Sequence, residues 1–267
     1  MTGLFTAYTD RLKKYPSFSS GASLEPLFTY SDSSAPELIR LRGEFHPEPV
    51  TGTGDTFTRT LALMERVHRD LFFVGGRAEP AALNTAEIMK VSKKGELFCT
   101  HYAVVLTELL LSIGIKARLV SCIPEIFDCD SHTGVLVYLP ETSCWFFADP
   151  TFNTYFEENG KPLDIFDIRK LYAEDRPPKF RHITIDKQWE LSCGGVSCET
   201  YDEWYRLYMA KNSFRFMSPA HSRYGCLSEK DAEWVAVNPT GFNLQNEYDQ
   251  LKNIIYTKSS AEFLPQA

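Results

Sequence analysis

The stretch GELFCTHYAVVLTELLLSIGIKAR, residues 95–118, carries most of the information about the fold. Its middle part is apolar on most faces and contains neither proline nor glycine until Gly114, a residue suited to the left-handed conformation that ends a helix. We therefore predict a buried central helix over 100–113. A cysteine, Cys99, stands directly before this helix.

The position of Cys99 favours chemistry at its thiol. Unpaired backbone N–H groups and the helix dipole favour negative charge at a helix N-terminus, which lowers the pKa of a thiol there. The same N–H groups can bind the oxyanion formed when a thiolate attacks a carbonyl, and one such donor contributes ~3 kcal/mol. We expect the backbone N–H of Cys99 to serve in this way. His101, two residues further along, does not face Cys99 on a helix and is expected to be structural.

Three strand-like segments follow the predicted helix, over 116–123, 133–139 and 144–148. The polar residues 140–143 join the last two segments as a hairpin turn. A helix followed by an antiparallel sheet predicts an α+β fold.

The hairpin register brings His132 and Asp149 together. A four-residue loop places Asp149 opposite Gly134, the same-face neighbour of His132, so that the two side chains are diagonal partners roughly 7 to 8 Å apart at Cα. A carboxylate in this position orients the imidazole and stabilises its protonated form, which leaves the other ring nitrogen for a thiol. We therefore predict a catalytic triad of Cys99, His132 and Asp149.

Three other residues compete with Asp149 for the orienting role. Asp128 and Asp130 closely precede His132, although such residues at the entry to a strand are usually solvated. The amide of Asn153 could also orient a histidine. Turn chemistry after a proline is the commoner role of an asparagine in that position.

The quoted residues resemble the transglutaminase-like superfamily. The run 95–103, together with the Gly-Ile-Lys-Ala-Arg turn at 114–118, resembles the nucleophile helix of that superfamily. The strand that starts at His132 resembles its histidine strand. The segment Trp-Phe-Phe-Ala-Asp-Pro-Thr at 145–151 resembles the one that contains its third catalytic residue. The resemblance covers about 55–156. It implies a papain-like α+β core whose central helix carries the cysteine and packs on an antiparallel β-sheet.

The resemblance also implies a function. Residues 153–156 and 208–212 are similar to those of bacterial transglutaminase-domain proteins, and the implied reaction is acyl transfer or hydrolysis on an amide through a Cys99 thioester. We expect a peptide, protein or small amide as substrate, with no cofactor and no metal. All four tryptophans follow Cys99, whereas full eukaryotic-type transglutaminases carry one upstream. The acceptor, water or an amine, therefore stays open.

Two other functions fit the same residues. A non-catalytic module could retain the fold and bind a peptide or protein through an aromatic helix of the C-terminal segment, since fold does not fix function. An acetyltransferase of the arylamine type uses the same triad. It ranks last because the Arg-Gly-Gly approach to its cysteine is absent here.

Composition narrows the class of protein. A net charge of -7 and a pI near 5.5 argue against a nucleic-acid partner, which requires clustered Lys and Arg. The N-terminal residues lack the apolar core of a secretory signal and no segment is long enough to span a bilayer, so we expect a cytoplasmic protein. Seven cysteines favour reduced thiols over a disulfide framework. The pairs Cys122/Cys129 and Cys193/Cys198 do not complete a zinc set.

The chain divides into three predicted segments. Residues 1–54 are rich in Ser, Pro, Thr and Gly and predict a loop-rich N-terminal arm. Residues 55–172 form the predicted catalytic core, which starts with a helix capped by Asp55 and a second helix near 84–89. Residues 173–267 are predicted to pack on the core as a C-terminal extension.

The C-terminal extension contains an aromatic helical face. Thr200 and Glu203 form a capping-box pattern at its start. Helical spacing then places four aromatic residues on one side: Tyr201, Trp204, Tyr205 and Tyr208. We interpret this face as core packing in preference to a surface that stacks on substrate.

Overall fold

The computed structural model describes residues 2–21, 26–71, 80–93, 97–125, 131–183, 192–193, 196–242 and 253–265. Its α-helices are α1 Thr2–Lys14, α2 Pro36–Phe45, α3 Glu48–Thr51, α4 Thr56–Asp70, α5 Thr85–Val91, α6 Cys99–Ser112, α7 Ile165–Ala173, α8 Tyr201–Asn212 and α9 Ser260–Phe263. Its strands are β1 Thr29–Tyr30, β2 Ala117–Ile123, β3 His132–Leu139, β4 Cys144–Asp149, β5 Thr154–Glu158, β6 Lys161–Pro162, β7 Lys179–His182, β8 Ser192–Cys193, β9 Val196–Ser197, β10 Arg215–Pro219, β11 His221–Ser222, β12 Trp234–Val237 and β13 Ile254–Thr257.

A largely antiparallel sheet forms the middle of the molecule. Its strands run in the order β13-β12-β10-β2-β3-β4-β5-β6, and β7 pairs with β5. The neighbours β12 and β13 are parallel, and the other neighbouring pairs are antiparallel. Helices with this sheet give the α+β fold that the sequence predicts.

Helices cover both faces of the sheet. Successive residues of a strand point to opposite faces, and β3 follows this rule. Val135 and Val137 pack with the α6 side of the core, whereas Leu136 and Tyr138 pack with the side that contains α1, α7 and α8. The sheet is therefore buried between two layers of helices.

The predicted register of the hairpin is confirmed. Val135 pairs with Ala148 and Leu136 with Phe147, so the next step along the strands places Gly134 opposite Asp149. His132 begins β3 and Asp149 ends β4. Both side chains therefore lie at the same end of the hairpin and on the same face, the one that α8 covers.

The predicted caps Asp55 and Thr200 and the predicted stop at Gly114 are confirmed, whereas α6 begins one residue earlier than predicted, at Cys99. Helices α4, α5 and α8 begin after Asp55, Asn84 and Thr200, and each of these side chains accepts a backbone N–H of the first turn. Helix α6 is followed by Gly114, which adopts a φ of 77°. None of the helices in the described ranges is both long and apolar enough to cross a membrane.

The loop-rich character expected of residues 1–54 is wrong, because three helices form there. Helix α1 packs on α7 and α8, and α2 packs on α6 through Leu38 and Leu41, which are fully buried. Their apolar spacing was obscured by the surrounding Ser, Pro and Gly. The division of the chain at 54/55 and 172/173 stays a prediction.

Candidate active site

Cys99 is the first residue of α6 and is partly exposed. The residue before it, Phe98, is extended and 41% exposed. As the first helical residue, Cys99 has a backbone N–H with no partner inside the helix. This N–H and the helix dipole both favour negative charge beside the thiol.

His101 fixes the start of α6. Its ring Nδ1 accepts the backbone N–H of Phe98 at 2.8 Å, and the two rings stack with their centroids 5.8 Å apart. The residue is 5% exposed. The expected structural role of His101 is confirmed, since the contact holds the residue that precedes Cys99.

His132 and Asp149 form a buried pair. The Nε2 atom of His132 lies 2.6 Å from Oδ2 of Asp149, and both side chains are fully buried. Oδ1 of the same carboxylate accepts the backbone N–H groups of Thr151 at 3.1 Å and Phe152 at 3.3 Å. The turn after β4 therefore holds the carboxylate in one orientation toward the imidazole.

The second ring nitrogen of His132 is left for the thiol. No nitrogen or oxygen of the described residues forms a hydrogen bond with Nδ1. Burial by itself raises the pKa of Cys99, but hydrogen bonding and charge from His132, with a smaller contribution from Thr133, bring that pKa below its ordinary value. Burial by itself lowers the pKa of His132, and the charge of Asp149, its hydrogen bond and Cys99 raise the pKa well above its ordinary value. The lowered pKa of Cys99 and the raised pKa of His132 together favour a thiolate beside an imidazolium.

Thr133 joins the site from the other face of β3. Its hydroxyl lies 3.4 Å from that of Thr100, the second residue of α6. Since Thr133 also lowers the pKa of Cys99, it stands close to the thiol. Helix α6 and the His132–Asp149 pair thus meet where β3 begins.

The sequence interpretation missed Tyr205. Its hydroxyl donates a 2.7 Å hydrogen bond to Oδ2 of Asp149, the oxygen that faces His132. The aromatic spacing of α8 predicted that Tyr205 would be buried, and it is. The spacing of aromatic residues along a helix does not indicate which polar group the hydroxyl of Tyr205 contacts.

Aromatic rings enclose the imidazole of His132. The ring centroids of Phe152 and Tyr208 each lie 5.3 Å from that of His132, and Phe147 lies 6.5 Å away. The hydroxyl of Tyr208 also donates to the backbone carbonyl of Ser131 at 3.4 Å. The aromatic face of α8 therefore belongs to the core, as expected. Part of this face packs against His132 of the candidate site.

The alternative orienting residues fall into two groups. Asp128 and Asp130 lie outside the described residues, as do Gly95 and Glu96 of the approach to Cys99. Asn153 is buried in the turn between β4 and β5 and adopts a φ of 50°, as turn chemistry predicts.

Among the described residues, no group of three or more His, Cys, Asp or Glu side chains is arranged to hold a metal ion. Cys129 lies outside these ranges, and the side chain of Cys193 is not described.

Comparison with known families identifies one match. The model of the transglutaminase-like superfamily matches residues 47–150, less than half of the chain. No curated protein and no solved structure matches the chain. The matched segment ends one residue after Asp149 and includes the helix of Cys99 packed on an antiparallel sheet, the arrangement of a papain-like core. Residues 47–150 are therefore similar to the core of the transglutaminase-like superfamily.

Proposed function

We propose that this protein catalyses acyl transfer or hydrolysis on an amide through a thioester at Cys99. The thiolate sulfur attacks the amide carbonyl carbon, and the C–N bond then breaks as His132 gives its proton to the leaving amine. The acyl group is left on Cys99 as a thioester. Water or a second amine then attacks this thioester, returns a proton to His132 and releases the thiolate.

The protein groups around these steps have separate roles. Asp149 accepts the Nε2–H of His132 and so directs Nδ1 toward the thiol. The N–H of Cys99, which has no partner inside α6, can donate to the oxyanion of the tetrahedral intermediate. A peptide, a protein side chain or a small molecule could present the amide, and the exposed ring of Phe98 offers an apolar contact beside the thiol.

One observation carries the proposal: the imidazole of His132 is hydrogen-bonded to the carboxylate of Asp149 and lowers the pKa of the Cys99 thiol. The His132–Asp149 hydrogen bond uses one ring nitrogen and leaves the other to Cys99. A pKa that is shifted by a specific neighbouring group, as that of Cys99 is by His132, is typical of a functional site.

The test compares Cys99→Ala with Cys144→Ala. Cys144 is an exposed thiol on β4 and serves as the matched control. We expect p-nitrophenyl acetate to leave one acetyl group on the wild type and on Cys144→Ala, seen by intact mass, and none on Cys99→Ala. At pH 6 to 7, iodoacetamide should alkylate Cys99 in the folded protein faster than in urea, because only the folded state has the neighbouring imidazolium.

The opposite results would favour a binding module that retains the fold. A Cys99 that reacts no faster when folded is not an activated thiolate. Absence of an acyl adduct across a panel of esters, thioesters and glutamine peptides would point the same way.

A further inference from the structure

Asp149 receives two side-chain donors on a single oxygen. The Nε2 atom of His132 lies 2.6 Å from Oδ2, and the hydroxyl oxygen of Tyr205 lies 2.7 Å from it. Among the described residues, the donors to the other oxygen, Oδ1, are backbone N–H groups. Tyr205 and His132 therefore share the negative charge of the same atom.

Packing holds the phenol of Tyr205 in this position. The residue is fully buried, and its ring stacks on that of Phe156 with centroids 5.6 Å apart and an interplanar angle of 20°. Phe180 contacts it edge-on at 5.1 Å. The hydroxyl cannot turn to another acceptor without moving the core.

A donated hydrogen bond draws charge from the oxygen that accepts it. The less charge is left on Oδ2, the less strongly Asp149 stabilises the imidazolium form of His132. His132 must hold a proton to stabilise the thiolate and must then release that proton to the leaving group. A carboxylate with less negative charge on Oδ2 suits both steps, because a base that binds its proton too tightly is a poor general acid.

We propose that Tyr205 is a positioning residue of the active site, whose hydroxyl holds Asp149 on His132 and limits how tightly His132 binds its proton. The proposal rests on the acyl-transfer function proposed above. Tyr205 belongs to α8, outside residues 47–150, so the C-terminal extension supplies part of the site.

The experiment replaces Tyr205 with phenylalanine and follows the pH titration of the His132 imidazole by NMR, without substrate, in a Cys144→Ala background. Tyr172→Phe is the matched control. Tyr172 is also fully buried in the same aromatic core, and its hydroxyl has no hydrogen-bond partner among the described residues. We expect the His132 midpoint of Tyr205→Phe to move to higher pH by roughly half a unit, because the carboxylate that stabilises the imidazolium has lost one charge-assisted hydrogen bond. The Tyr172→Phe midpoint should match that of the wild type.

A second variant keeps the proposal testable if Tyr205→Phe folds poorly. With 3-fluorotyrosine at position 205 the shape is nearly kept and the hydroxyl becomes a stronger donor, so the His132 midpoint should move to lower pH. An unchanged His132 midpoint in both variants, a shift to lower pH in Tyr205→Phe, or equal shifts in Tyr205→Phe and Tyr172→Phe would overturn the proposal. A wild-type Cys99 that titrates like a free thiol would instead overturn the acyl-transfer function itself.

Discussion

Gly134 makes room for the side chains around the candidate site. A Cβ atom at this position would lie 2.4 Å from Cε2 of Phe147 and 3.0 Å from the backbone oxygen of Ala148. Phe147 in turn packs against His132. The missing side chain thus lets an aromatic ring cross β3 directly beside the imidazole, and only glycine permits so close an approach.

We therefore expect Gly134→Ala to disturb both stability and the site. The added methyl group must displace the ring of Phe147 in a closely packed core, which typically costs 1 to 3 kcal/mol. Urea unfolding should show this loss. The displaced ring should also press on His132, so the pH profile of Cys99 alkylation should change.

A second glycine provides the control. Gly43 lies within α2, and a Cβ atom there would meet nothing within 4 Å. Gly43→Ala should therefore raise the stability by up to about 1 kcal/mol through helix propensity alone. A Gly134→Ala protein as stable as the wild type would show that Phe147 can withdraw without cost, contrary to the argument.

The sequence indicated the proposed nucleophile and its proposed base but not the complete candidate site. The helix that follows Cys99 and the four-residue turn of the hairpin are local features, so the placement of Cys99 and the register of His132 with Asp149 could be predicted. The contact of Tyr205 with Asp149 depends on how α8 lies across the sheet. That packing joins distant parts of the chain, and no local pattern reports it.

Helix α6 also anchors elements far from the site, through a buried glutamate. Glu108 is 2% exposed, and its two carboxylate oxygens accept the backbone N–H groups of Thr85 and Gly225, each at 2.8 Å. One carboxylate thereby connects the first residue of α5 and the turn after β11 to the central helix. Burial raises the pKa of Glu108 to about 7, and the two backbone donors oppose this rise.

This shift predicts a pH dependence of stability with a definite sign. Between pH 4.5 and about 7, the folded state holds a proton on Glu108 that the unfolded state has released. Stability therefore falls as the pH rises through this window, by at most about 3 kcal/mol. Glu108→Gln cannot titrate and leaves one N–H without an acceptor, so it should be the less stable protein at pH 5.

The measurement is urea unfolding of the wild type and Glu108→Gln from pH 4.5 to 8. The difference in unfolding free energy between the two proteins should narrow as the pH rises. Glu37→Gln, on the exposed surface of α2, controls for the loss of one carboxylate. A constant difference over the range would mean that Glu108 has the same charge in the folded and unfolded states.

The ends of the chain are where prediction from sequence fell furthest short. Residues 1–54 include three helices, and strands from residues 173–267 extend the central sheet through the pairing of β10 with β2. Strand β1 pairs with β11, nearly two hundred residues away. Such pairings follow from the complete set of exposed edges and apolar faces, which the local sequence does not specify.

A buried arginine connects both ends of the chain to the central sheet. Arg118 of β2 is fully buried, and it donates to the hydroxyl of Tyr30 at 2.5 Å and to the backbone carbonyl of Phe263. Its guanidinium also lies 3.9 Å from the ring centroid of Phe28 and 4.5 Å from that of Trp145. These partners are neutral, and burial lowers the pKa of Arg118. The charge is stabilised by hydrogen bonds and aromatic faces.

Arg118→Met should loosen the two ends while the core stays folded. Methionine removes the cost of burying a charge, but it leaves the Tyr30 hydroxyl and the Phe263 carbonyl without their donor, so we expect a net loss of about 1 to 3 kcal/mol. Hydrogen exchange should become faster over residues 28–30 and 260–264 and stay unchanged in α6. Lys116→Met is the control, because the ammonium of Lys116 lies over the rings of Tyr30, Tyr138 and Trp145, and its removal takes away these three cation–π contacts. Faster exchange throughout the molecule, or no change at either end, would show that Arg118 does not hold the ends together.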